Sequence, residues 1–206
     1  MIMIAFGMLL TAAAFGAFAY AGALAAMTYW AAVPALEDSP TPQAPPIAIL
    51  IGAAALIGAV CALRGASAET LAIVAAMVGV LTAIWCVDVT RGIVPDALTL
   101  VPLFALLLAG LLTGRWYVLL AAIVPAIPFA IMAWRTKGLG LGWGDVKLVA
   151  LGGALLGMQT AILAFALAAV AAILIARIQR RTSEPLAFGP YLVTAIALPL
   201  AMVAGL

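Results

Sequence analysis

GLGLGWGDVKLVALGGALLGMQTAILAFALAAVAAILIAR, residues 138–177, is the stretch on which the fold turns. From Val146 to Ala176 it runs for 31 residues with Lys147 as its only charge. One helical crossing takes ~20 apolar residues, so the stretch is long for one and short for two. It is continuous and Ala/Leu-rich, with no alternation of period two, which argues for helix and against a barrel strand. Gly157-Met158-Gln159 is the natural place for a break.

Charge placement arbitrates. If the loop after Asp88 faces the cytoplasm, Arg91, Arg135, Lys137 and Lys147 do so too, and Arg64 and Arg115 fall outside. Basic residues concentrate on the cytoplasmic side, so Arg177, Arg180 and Arg181 belong inside as well. That requires an even number of crossings between Lys147 and Arg177. The expectation is therefore eight segments rather than seven, with seven basic residues inside and two outside.

The rest of the chain divides in the same manner. The first apolar segment runs from about Ile4 to Ala32. It continues to Leu36 with no basic region before it, too long for a signal peptide's apolar core, and is expected to be a retained first helix. PALEDSPTPQAPP follows, and its prolines from Pro34 to Pro46 forbid helix and keep a linker extended. Further segments are expected over 47–63, 70–87, 97–112, 116–134 and 188–203. Charged residues make up 8% of the chain, against roughly 25% in an ordinary soluble domain. Mean hydropathy is +1.34. The fold class is all-α, a polytopic transmembrane bundle of seven to eight segments, with the lipid bilayer as its surroundings.

An acid beside lipid is expensive, and this chain has only seven acidic residues and no His. Asp88 ends one apolar run, in WCVDVTRGIVPDALTL, and Asp145 begins another, in GWGDVKL. Two segments separate them, so both fall at the same membrane face. Paired carboxylates are the minimal machinery of aspartyl proteolysis: one takes a proton from water while the other, protonated, polarises the scissile carbonyl. Gly142 and Gly144 would let a backbone approach an extended substrate. The start of a helix at Asp145 offers N–H groups to a carboxylate. A bland reading stands beside this one. Asp at a helix start is a common cap, Asp96 after Pro95 looks like one, and Asp88 could simply pair with Arg91.

At this point the residues resemble a family. GWGDVKL at 142–148 resembles the GxGD motif of type IV prepilin peptidases, the A24 family of intramembrane aspartyl proteases. DVTRGIVPD at 88–96 is similar to that family's other block, in which a catalytic Asp stands eight residues before an Asp or Asn that follows proline. EPLAFGPYL at 184–192 resembles its C-terminal segment. The resemblance implies Asp88 and Asp145 as the catalytic pair. Around them it implies Gly142, Gly144 and Lys147 as motif residues, Arg91, Pro95 and Asp96 as the supporting block, and Phe188, Gly189 and Pro190 as a structural segment near the site. It also implies one membrane-embedded peptidase domain over 1–206, with first helix 1–36, linker 37–46 and catalytic core 47–206. The implied substrate is a prepilin or pseudopilin cleaved at the cytoplasmic face of the bacterial inner membrane.

Many bifunctional members carry a domain with two CxxC pairs between the first two helices and also methylate the new N-terminus. Here the Pro-rich linker stands in that place, so the resemblance is closer to short, peptidase-only members. Cys61 and Cys86 are isolated within apolar runs and read as small core residues. Neither cofactor, metal nor nucleic acid is implied, and the sequence does not speak to oligomeric state. Trp30, Trp85, Trp116, Trp134 and Trp143 fall mostly at segment ends, as an aromatic belt does. Gly52, Gly58, Gly152, Gly153 and Gly157 read as helix-packing positions, and Pro125 and Pro128 as kinks. Two rivals to the protease remain at this level. A proton- or cation-coupled carrier also holds paired membrane acids, though near the midplane, and an assembly subunit would need neither acid.

Overall fold

The structure is a computed structural model and describes residues 2–32, 46–137, 141–178 and 188–203. Most of the Pro-rich linker lies outside the described residues, as do Gly138, Gly140, Arg180, Arg181 and the first part of EPLAFGPYL. Among the described residues eight helices follow one another: α1 (Ile2–Ala32), α2 (Ile47–Leu63), α3 (Ala68–Arg91), α4 (Asp96–Leu112), α5 (Tyr117–Arg135), α6 (Trp143–Leu156), α7 (Met158–Ile178) and α8 (Gly189–Val203). The described residues hold no strand. The chain is a polytopic helical membrane protein.

The disputed stretch splits as expected, and the break is a single residue. Gly157 has φ 77 and ψ 160, a backbone region open essentially to glycine. Its N–H still donates to Gly153 O at 3.0 Å, so α6 closes normally before the chain swings into α7. Gly52 and Gly157 correct the packing expectation: a β-carbon at either would meet nothing within 4 Å. Gly157 serves the turn and not a helix contact.

Helices α1, α3, α5 and α7 are long and apolar enough to cross a membrane. Helices α2 and α4 have 17 residues each. At 1.5 Å per residue that is ~26 Å, just short of the hydrocarbon thickness. Large apolar side chains stand exposed along the helices, among them Leu9, Ile49, Leu111 and Leu167 at about 70%. Such surface is stable only against lipid or protein.

The chain forms two compact units. The first comprises residues 1–92 with 200–206, and α1 packs on α2 and α3 within it. Small residues let these backbones meet: a β-carbon on Gly22 would stand 2.1 Å from Gly79 O, and one on Gly58 would press into the buried ring of Phe15. Ser67 starts α3 by accepting Thr70 N–H at 3.2 Å, and Gly92 ends it at φ 63 with its N–H on Asp88 O at 2.7 Å.

The second unit comprises residues 93–199. Helix α6 is its centre, packed against α4, α5 and α7. Beyond Lys147 it is apolar, and no residue from Leu148 to Leu156 is exposed. Leu148, Val149 and Leu151 have no exposed surface. Gly152 leaves room for Phe165 and Ile196, and Gly153 for the backbone of α5. Pro125 and Pro128 both lie inside α5, with Pro125 buried.

Candidate active site

Asp145 is the third residue of α6. Gly142 precedes the helix and donates its N–H to Asp145 Oδ2 at 3.1 Å, while Asp145 N–H returns to Gly142 O at 3.2 Å. This is the acidic half of a capping box, and glycine has no side chain to supply the other half. The capping role expected for an Asp at this position is therefore real. Unlike an ordinary surface cap, Asp145 is buried, with 8% of its surface exposed.

The two motif glycines differ in what they permit. A β-carbon on Gly142 would meet only ordinary contacts, the nearest being Asp145 Oδ2 at 3.6 Å. One on Gly144 would stand 2.8 Å from Val94 Cβ, closer than two carbons approach. The absent side chain of Gly144 is thus used by Val94, where an open path for substrate backbone was expected.

Asp96 is not the cap it looked like. Pro95 occupies the cap position of α4 and makes no side-chain cap bond, and Asp96 is the first helical residue. Its carboxylate instead reaches Lys147 on α6, Oδ1 to Nζ at 2.5 Å. Within the second unit the structure thereby joins Val94 and Asp96 to the GWGDVKL block, through Gly144–Val94 and Lys147–Asp96. Sequence reasoning missed Val94 and Thr99. Thr99 is fully buried, and its hydroxyl donates to Pro95 O and Asp96 O at 3.2 Å each. The spacing of three and four residues was visible, but a Thr there reads equally well as lipid-facing.

Asp88 lies in the last turn of α3, in the first unit, at 5% exposure. Arg91 is half-buried in the same turn. Thr90, also buried, turns its hydroxyl back onto Cys86 O at 2.7 Å.

Phe188, Gly189 and Pro190 open α8. Phe188 O accepts Tyr191 N–H at 3.1 Å, and Pro190 sits in the first turn, where no donor is needed. The Phe188 ring packs 6.1 Å from Phe129 on α5, which meets Phe165 edge-on. Beside them an apolar hollow of about 360 Å³ lies between α5 and α7, with Leu141 at its end next to the motif. A second hollow of about 440 Å³ is lined by Trp134, Arg135, Lys137 and Trp143. Trp143, Trp134 and Trp116 are all more than half exposed, as belt residues are. Among the described residues no three His, Cys, Asp or Glu side chains gather as a metal-binding group.

Residues 75–177, half of the 206-residue chain, match the type IV leader peptidase family (Peptidase_A24). A prepilin leader peptidase/N-methyltransferase of Burkholderia pseudomallei is 36% identical over 160 residues, 70% of this chain and 50% of that protein. One from Aeromonas salmonicida is 37% identical over 130 residues, 56% of this chain and 44% of that protein. The chain thus spans about half the length of the curated relatives it matches. No solved structure matches it.

Proposed function

The chain belongs to the type IV leader peptidase family, and from that premise we propose that it is a prepilin leader peptidase of the aspartyl type, with Asp88 and Asp145 as its catalytic carboxylates. One observation carries the reading. The described residues include four acids, and Glu69 and Asp96 are exposed while Asp88 and Asp145 are buried. The two buried ones are those the motifs single out, and both lie within the stretch that matches the family. A carboxylate buried at the end of an apolar helix is costly, and a functional role explains its retention.

In the proposed reaction one aspartate, ionised, takes a proton from a water molecule. The other, protonated, donates a hydrogen bond to the scissile carbonyl. The water oxygen adds to the carbonyl carbon while the carbonyl oxygen takes the second aspartate's proton, giving a tetrahedral diol. Collapse breaks the C–N bond, the leaving nitrogen receives the proton first taken from water, and a diol hydroxyl returns its proton to the second aspartate as the carbonyl re-forms. The products are a carboxyl-terminated leader and a free amine on the mature chain. Only the pair is assigned these roles, because two interacting carboxyls titrate together.

The proposed substrate is a pilin-like precursor with a short basic leader and an apolar helix, cleaved at the cytoplasmic face of the bacterial inner membrane. The proposed catalytic unit is a single membrane-embedded peptidase domain, with Arg91, Pro95, Gly142, Phe188, Gly189 and Pro190 supporting the site. Purified protein incubated with a precursor of this kind tests the reading. Release of the leader by the wild type and its loss in Asp88→Asn and Asp145→Asn support it. Leader release undiminished by either substitution overturns it.

A further inference from the structure

The first turns of α4 and α6 are fastened to each other. Lys147 Nζ meets Asp96 Oδ1, linking residues 51 positions apart in the chain. One helical turn earlier, Val94 fills the space that a side chain on Gly144 would need. Thr99 stiffens the α4 side by binding the carbonyls of Pro95 and Asp96 from a fully buried position. Asp145 stands between the two fastening points, one residue after Gly144 and two before Lys147.

This arrangement does little for stability. The Lys147 and Asp96 side chains are 31% and 63% exposed, and an ion pair that open adds almost nothing to a fold already held by apolar packing. Its effect is directional. Residues two apart on a helix point to nearly opposite sides, so Lys147 reaches away toward α4 and does not address the Asp145 carboxylate. Together, Val94 behind Gly144 and Asp96 on Lys147 fix the rotation of the first turn of α6 about its axis. The Asp145 side chain is in turn tied to that turn through Gly142 N–H.

We infer that Val94, Asp96 and Lys147 are positioning residues, a clasp that sets the direction of the Asp145 carboxylate. The inference rests on the reading of Asp145 as a catalytic acid. Misplacing a reacting group by about 1 Å lowers a rate by up to ~100-fold while leaving substrate binding largely intact. The clasp should therefore act on kcat and not on KM.

The test uses the full chain in detergent, with cleavage of a precursor bearing a basic leader and an apolar segment. Rates are expressed per folded molecule, judged by gel filtration and thermal unfolding. Asp96→Asn and Lys147→Met are expected to lower kcat about ten-fold with KM within about two-fold of wild type. Lys147→Arg, which keeps the pair, should retain the rate. The reversed pair D96K/K147E should recover most of what either single change loses. Single variants with wild-type kcat per folded molecule overturn the clasp, even if their melting temperatures fall. So does a reversed pair no better than the singles. Asp145→Asn is run alongside: cleavage surviving in that variant refutes the catalytic reading itself, and the two failures are told apart in one assay.

Discussion

Gly153 on α6 lies so close to Ala121 on α5 that a β-carbon at 153 would stand 2.0 Å from the Ala121 carbonyl oxygen. In unit 1 the same device recurs where Gly22 on α1 meets the Gly79 carbonyl on α3. Between helices in lipid, the loss of a side chain is what lets backbones pack closely, since lipid tails offer no less apolar surroundings than a partner helix.

Gly153→Ala and Gly22→Ala should each destabilise the fold by about 1–3 kcal/mol, because the clash is with backbone and is relieved only by moving a helix. Gly52→Ala is the control. Nothing lies within 4 Å of a β-carbon at that position, and Ala is the better helix former. Thermal unfolding in detergent should show lower melting temperatures for the first two and an unchanged or raised one for the third.

Asp88 and Asp145 should behave as a unit. Each Asn substitution is expected to lower cleavage by ~1,000-fold or more, and the double variant to be no worse than either single. Cleavage assays on the purified proteins check this. Multiplying losses in the double variant would mean two independent roles.

The break at Gly157 places Gln159 at the opposite end of α6 from Lys137. Gln159 is exposed and lines a hollow of about 360 Å³ with Tyr117. With Cys61 and Cys86 replaced, a cysteine at 159 should react in intact cells with a membrane-impermeant thiol reagent, and one at 137 should not. Equal labelling at both positions would rule out two crossings between Lys147 and Arg177.

This chain should cleave without methylating. Transfer of a methyl group from S-adenosylmethionine needs a pocket for a polar nucleotide. The segment from Pro34 to Pro46 is 13 residues long and rich in proline, too short to fold into one. Mass spectrometry of a precursor processed by these 206 residues, with S-adenosylmethionine present, should find a free N-terminal amine. A methylated product would place that activity in the membrane helices.

The order and number of helices were legible in the sequence, because hydropathy and the placement of arginines and lysines are local signals. So was the break within 143–178, where one glycine interrupts an apolar run that charge balance requires to turn back. The two acids could be singled out for the same reason: a carboxylate is conspicuous among Ala and Leu. What the sequence could not supply were the partners. Asp96 looked like a cap, and only the packing of α4 on α6 brought Lys147 within reach. Gly144 looked like an opening for substrate, and only Val94, 50 residues earlier, explains why no side chain fits there. Gly52 and Gly153 are indistinguishable by local pattern, yet one faces open space and the other a carbonyl oxygen. Hydropathy says that a segment is buried in lipid or protein, and it is the same on every side of such a helix. Which face meets which neighbour is decided by shape complementarity between segments far apart in the chain, and that exists only once the chain has folded.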